Sequence, residues 1–99
     1  MKIETNFTDN ELTVALEGRL DTTTAPQLET ELKSFMTDGL KSLIFDFEKL
    51  EYISSAGLRV LLTAQKFMNK QGKMVIRNAG EDILSVFEIT GFSDILTIE

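Results

Sequence analysis

Tyr52-Ile53-Ser54-Ser55-Ala56-Gly57-Leu58-Arg59-Val60-Leu61-Leu62 is the stretch around which the rest of the chain is organised. From its middle onward Leu58, Leu61, Leu62, Gln65 and Met68 recur at i, i+3, i+4, i+7 and i+10, the spacing of one helix face. Just upstream, Leu43-Ile44-Phe45-Asp46-Phe47 has the length and the aromatic and β-branched content of a core strand. A strand over 42–47 therefore feeds a loop, and the loop feeds a helix that opens at the two serines and closes at Gly72. Serine ahead of a helix is first a cap, because its oxygen accepts from an amide that the first turn leaves unpaired. Those free amides and the positive end of the helix dipole also make the place tolerant of a phosphate.

Working outward, residues 2–7 and 12–20 form a hairpin candidate: Leu12, Val14, Leu16 and Leu20 alternate with polar residues, and Thr8-Asp9-Asn10 supplies a turn. A helix begins near Thr22-Thr23-Thr24-Ala25-Pro26, with either a Thr24/Gln27 capping box or Ala25 as the cap, since Pro26 pushes Ala25 away from helical angles. Leu28, Leu32, Phe35 and Met36 give its apolar stripe and Gly39 its C′ residue. Beyond the central unit, Met74-Val75-Ile76 predicts a buried strand, 81–89 a third helix and 95–98 a last strand. The predicted order is ββαβαβαβ, an α/β domain. Its sheet is mixed but mostly parallel, with helices packed on it.

With 99 residues there is room for one domain, 1–99, and one core. A net charge of −6 makes nucleic acid an unsuitable direct partner. No cysteine is present, so neither a disulfide framework nor a thiolate metal site is expected. No run approaches the length of a membrane span, and the N-terminus lacks an apolar signal region, which together point to a cytoplasmic protein. The absence of His and Cys removes the common activated-nucleophile arrangements, so no catalytic residues and no cofactor are expected. Asp46, Glu48 and Glu51 could in principle approach a divalent ion, but a solvated acidic loop is the better reading in a chain with 16 Asp and Glu. A receiver domain phosphorylated on Asp46 fits poorly, because two strands precede the first helix and no acidic pair follows an opening strand.

The run Tyr52-Ile53-Ser54-Ser55-Ala56-Gly57-Leu58 resembles the aromatic-X-(Asp/Ser)-Ser-X-Gly-Leu signature of the STAS domain of anti-sigma factor antagonists. Gly18-Arg19-Leu20-Asp21-Thr22-Thr23-Thr24-Ala25-Pro26 resembles the family's Gly-X-(Leu/Ile)-Asp turn before the first helix, and the resemblance covers nearly the whole chain. It implies a STAS-like single domain that binds an anti-sigma factor, itself a serine kinase, and so releases a sigma factor; a serine phosphatase resets the switch. Ser55 aligns with the phosphorylated serine and Asp21 with the acidic residue close to it. Many members carry Asp where this chain has Ser54, which leaves Ser54 as an alternative acceptor; Ala56 replaces a second hydroxyl and favours Ser55. On its own terms Asp21 is also a turn or near-cap carboxylate. The alternative within the resemblance is a STAS adaptor that is never phosphorylated and holds together a larger assembly, in lipid transport or a stress-signalling complex.

Ser55, Arg59, Thr63, Lys66 and Lys70 recur at i, i+4, i+8, i+11 and i+15, placing the acceptor at the head of a polar stripe opposite Leu58, Leu61, Leu62 and Met68. Such a stripe is either a solvated face or, with three basic members on an acidic protein, a docking face. The candidate partner-binding residues are Asp21, Thr22, Ser54, Ser55, Gly57, Arg59, Thr63 and Lys66.

Overall fold

Asp9 and Asn10 both hold positive φ, 53° and 64°, the backbone a two-residue hairpin turn requires. They join β1 (Lys2–Thr8) to β2 (Glu11–Leu20). The computed structural model describes every residue from Met1 to Glu99. After the hairpin come α1 (Ala25–Lys33), β3 (Ser42–Ile53), α2 (Ser55–Met68), β4 (Lys73–Arg77), α3 (Glu81–Thr90) and a 3₁₀ turn at Phe92–Asp94. The sheet order is β1-β2-β3-β4; β1 runs antiparallel to β2, while the β2/β3 and β3/β4 pairs are parallel. This is the mixed, mostly parallel α/β sheet the sequence predicts.

Register explains the layering. Leu12, Leu43 and Met74 stand in one row across the sheet, and Val14, Phe45 and Ile76 in another. Alternation sends these to one face. Leu28 and Leu32 of α1, Leu58, Leu61, Ala64 and Met68 of α2, and Ile83 and Phe87 of α3 join the same core. All three helices therefore cover that face. Phe45, Phe47 and Phe87 are fully buried with successive ring centroids 5.7 Å and 6.4 Å apart, each burial contributing roughly 1.5–3 kcal/mol. Leu62 is only half-buried, and Val60 and Ala64 take its place in the core.

Four expectations change. First, β3 does not end at residue 47 but continues to Ile53, so Glu48 and Glu51 are exposed strand residues and no loop precedes α2. Irregularities in the pairing between Ala15 and Glu17 and between Gly18 and Arg19 let this polar second half stay in register with β2. Second, α1 stops at Lys33: Phe35 and Met36 bend back through N–H bonds to the Leu32 carbonyl, and Phe35 packs 5.9 Å from the Phe7 ring, so Gly39 caps nothing. Thr24 is the N-cap residue but makes no side-chain cap bond, because its hydroxyl is held by Asp21 and Arg19; the Thr24/Gln27 capping box does not form. Third, α2 ends at Met68, short of Gly72. Gly72 instead lets the chain meet β3 closely, since a Cβ there would overlap the Lys41 carbonyl, which accepts from the Lys73 amide. Fourth, the last strand shrinks to a single parallel bridge between Ile98 and Ile76, because the amides of Ile95 and Leu96 turn back to the Phe92 carbonyl of the 3₁₀ turn.

Candidate functional site

β2 and β3 end side by side, with Leu20 opposite Ile53; β3 leads through one residue into α2, and β2 through a four-residue turn into α1. In open parallel sheets this carboxyl edge is where binding groups gather. One residue, Ser54, spans the gap between β3 and α2. Its amide donates to the Leu20 carbonyl at 2.9 Å and its carbonyl accepts from the Leu58 amide at 2.9 Å. Its Oγ accepts from the Gly57 amide at 3.3 Å, an N-cap in extended backbone. Ser55, the first residue of α2, is exposed, and its hydroxyl makes no hydrogen bond within the chain. The two serines therefore divide the parts: one oxygen is spent on the cap, the other is free.

Gly57 does not face outward as a partner-binding residue would. It is buried, and a Cβ on it would lie 2.7 Å from Leu20 Cγ and 3.0 Å from Ile53 Cγ1, so its absence of a side chain seats α2 on the strand ends.

Asp21 organises the turn between β2 and α1. Its Oδ1 accepts from the Thr23 hydroxyl at 2.8 Å and amide at 3.0 Å, and from the Thr24 amide at 3.1 Å and hydroxyl at 3.2 Å. These bonds, the Thr23 hydroxyl foremost, hold its pKa below the ordinary carboxylate value of 3.8. Its Oδ2 lies 3.8 Å from Arg19 Nε, and the Arg19 guanidinium carbon sits 4.0 Å over the Tyr52 ring. Arg19 and Tyr52 are partners in the β2/β3 register, both exposed, one position before the strand ends at Leu20 and Ile53. Neither was among the candidate site residues; only the parallel pairing brings them together.

Thr22 is exposed at the tip of the turn. With Ala25, Pro26 and Glu29 of α1 and Ala56, Arg59 and Val60 of α2 it lines a shallow groove of about 150 Å³ between the two helices. Arg59, Thr63, Lys66 and Lys70 are all exposed, with Lys70 in the turn just beyond α2. Thr63 donates its hydroxyl to the Arg59 carbonyl at 3.0 Å. None of the basic members joins an ion pair. A separate hollow of about 240 Å³ lies on the sheet face that carries no helices, where Glu4, Glu17, Asp46 and Glu48 mix with Lys2 and Lys49. It shares no residue with the serine site. Asp46 there accepts from the Glu48 amide and from Asn78 Nδ2, while Glu51 lies apart from it.

This arrangement defines a small binding module that presents a free serine at a rigid strand-to-helix junction. Residues 2–99 match the STAS domain family, and the chain belongs to it. It is 37% identical over 99 residues to BtrV of Bordetella bronchiseptica, covering 99% of this chain and 85% of that one. It is 31% identical to the anti-sigma-B factor antagonist of Staphylococcus aureus, covering 99% and 92%. Among solved structures it is similar to the anti-sigma factor antagonist SpoIIAA in its unphosphorylated form, with a TM-score of 0.85 and 18% identity over 99% of this chain and 88% of that one. The phosphorylated form of Bacillus SpoIIAA aligns with a TM-score of 0.78 and 19% identity, over 99% and 91%. No helix is long and apolar enough to cross a membrane.

Proposed function

We propose that this protein is an anti-sigma factor antagonist of the cytoplasm whose binding is switched by phosphorylation of Ser55. Unphosphorylated, it engages an anti-sigma factor and frees the sigma factor held there. The anti-sigma factor, acting as a serine kinase, adds phosphate to Ser55 and escapes; a serine phosphatase resets the protein. The observation that carries this reading is the division of labour at the helix start, where the Ser54 oxygen is occupied by the Gly57 amide and the Ser55 oxygen is unengaged. The relatives named as anti-sigma factor antagonists supply the class of partner.

The docking face in this scheme is the exposed row Ser55, Arg59, Thr63 and Lys66, bordered by Thr22 and the Asp21 turn. Phosphate adds about −1.5 to −2 charges at pH 7. An ill-matched charge inside an interface costs roughly 2–5 kcal/mol, which weakens binding by about 30-fold to several thousand-fold. Incubation with the cognate kinase and ATP, followed by intact mass and peptide mapping, tests the scheme. One phosphate on Ser55, and none on Ser55→Ala, is the expected result. No phosphate on the wild type would favour the unphosphorylated adaptor, and phosphate on Ser54 would overturn the assignment. Charge reversal at Arg59 and Lys66 together should lower affinity for the anti-sigma factor; unchanged binding would put the interface elsewhere.

A further inference from the structure

Ser55 and Arg59 stand one helical turn apart on the exposed side of α2, the spacing at which side chains meet. The Ser55 hydroxyl has no partner, and Arg59 takes part in none of the ion pairs. The charged group facing Arg59 from a neighbouring element is Glu29 of α1, across the groove, and it too forms no ion pair. Asp21, in the turn beyond, directs one oxygen to Thr23 and Thr24 and the other toward Arg19. A permanently charged guanidinium without a carboxylate partner thus lies one turn beyond a free hydroxyl.

We propose that Arg59 is the residue that clasps a phosphoryl group on Ser55, so that modification removes the first basic group of the α2 stripe at the same moment as it adds negative charge. The inference rests on the phosphorylation of Ser55 proposed above. An acidic group one turn N-terminal to a basic one is the favourable orientation on a helix. A guanidinium matches phosphate oxygens with two parallel N–H donors, which an ammonium does not. Lys66 lies eleven positions from Ser55, about 16 Å along the axis at the usual rise, and cannot substitute. Arg59 then has two exclusive uses: a contact for the partner when Ser55 is bare, and a partner for the phosphate when it is not.

The test uses the full chain carrying phosphoserine at position 55 inserted during translation, so that no kinase is needed. A ³¹P titration reads the second ionisation of the phosphate, ordinarily near a pKa of about 6. The expected midpoint in the wild type lies about 0.3 unit or more below that of Arg59→Gln, because the nearby cation favours the dianion; Arg59→Lys restores part of the shift. The amides at the helix start act alike in all three proteins and cancel in the comparison. Phosphorylation should also raise the melting temperature of the wild type by about 1–4 °C more than that of Arg59→Gln. Equal midpoints in wild type and Arg59→Gln would overturn the clasp while leaving the phosphorylation switch intact. Undiminished binding of phosphorylated wild type to the anti-sigma factor would instead sink the switch, whatever the midpoints.

Discussion

Replacing Gly57 by alanine sets two effects of known sign against each other. Inside a helix alanine is better than glycine by about 1 kcal/mol. Here the new Cβ meets Leu20 Cγ at 2.7 Å and both Ile53 Cγ1 and Leu20 Cδ2 at 3.0 Å, whereas carbon pairs prefer about 3.5–4.0 Å. Leu20 is fully buried and Ile53 is 3% exposed, so neither can swing aside. Overpacking of this kind costs about 1–3 kcal/mol. The net loss is then about 1 kcal/mol and at most about 2, a fall in melting temperature of about 4–8 °C per kcal/mol for a domain of this size. Calorimetric melts of Gly57→Ala beside wild type measure it directly. A double-mutant cycle with Leu20→Ala isolates the cause: the shortened side chain makes room, so the alanine should cost less in that background, or even stabilise. A melting temperature at or above wild type for the single variant would refute the close-packing account of Gly57.

Ser54→Ala removes the N-cap oxygen but not the acceptor; it should lower stability by about 0.5–1 kcal/mol, at the low end for caps because the bond is 3.3 Å long, and still take phosphate on Ser55. Loss of phosphorylation in a variant that remains folded would refute the division between the serines. For Asp21 the hydrogen bonds lower the folded pKa, so its contribution to stability is present above the unfolded carboxylate value and disappears as pH falls through the folded one. The stability gap between wild type and Asp21→Ala, followed by denaturant melts from pH 7 downward, should therefore stay open to about pH 4 and close below it; a gap constant to pH 2.5 contradicts the assignment. Asp21→Asn keeps an oxygen able to accept from Thr23 and Thr24 and should melt nearer to wild type than Asp21→Ala.

How far the chain could be read in advance depended on the range of the interactions involved. Leu12, Val14 and Leu16 alternate and are all buried, and Asp9-Asn10 turns as its composition implies, because hairpins are built from neighbours. The α2 face was legible for the same reason, though Val60 and Ala64 replaced Leu62 once the helix was seated against the sheet. The second half of β3 was hidden: Glu48, Lys49 and Glu51 look like loop residues, and only pairing with the distant β2 makes them strand. The spacing of Phe35 predicts a helix, while its contact with Phe7, far away in sequence, draws it into the turn. Around the start of α2, the exposure of Ser55 and Arg59 and the turn-forming role of Asp21 follow from their positions in the sequence. The stacking of Arg19 on Tyr52 and the burial of Gly57 depend on which strands lie side by side, which no local pattern carries.

The single-residue junction at Ser54 has a consequence for how such a switch keeps time. Its amide is tied to Leu20 and its oxygen to Gly57, so the proposed acceptor at Ser55 follows a junction hydrogen-bonded on both sides. The modified and unmodified forms would share one shape, and scattering or diffusion measurements would not tell them apart. No hinge has to relax and no segment has to refold before a partner can register the change. With Ser55 as the proposed acceptor, the lifetime of the signal would be the lifetime of one ester bond, and the history recorded in a population of these molecules would fade only as fast as that bond is cleaved.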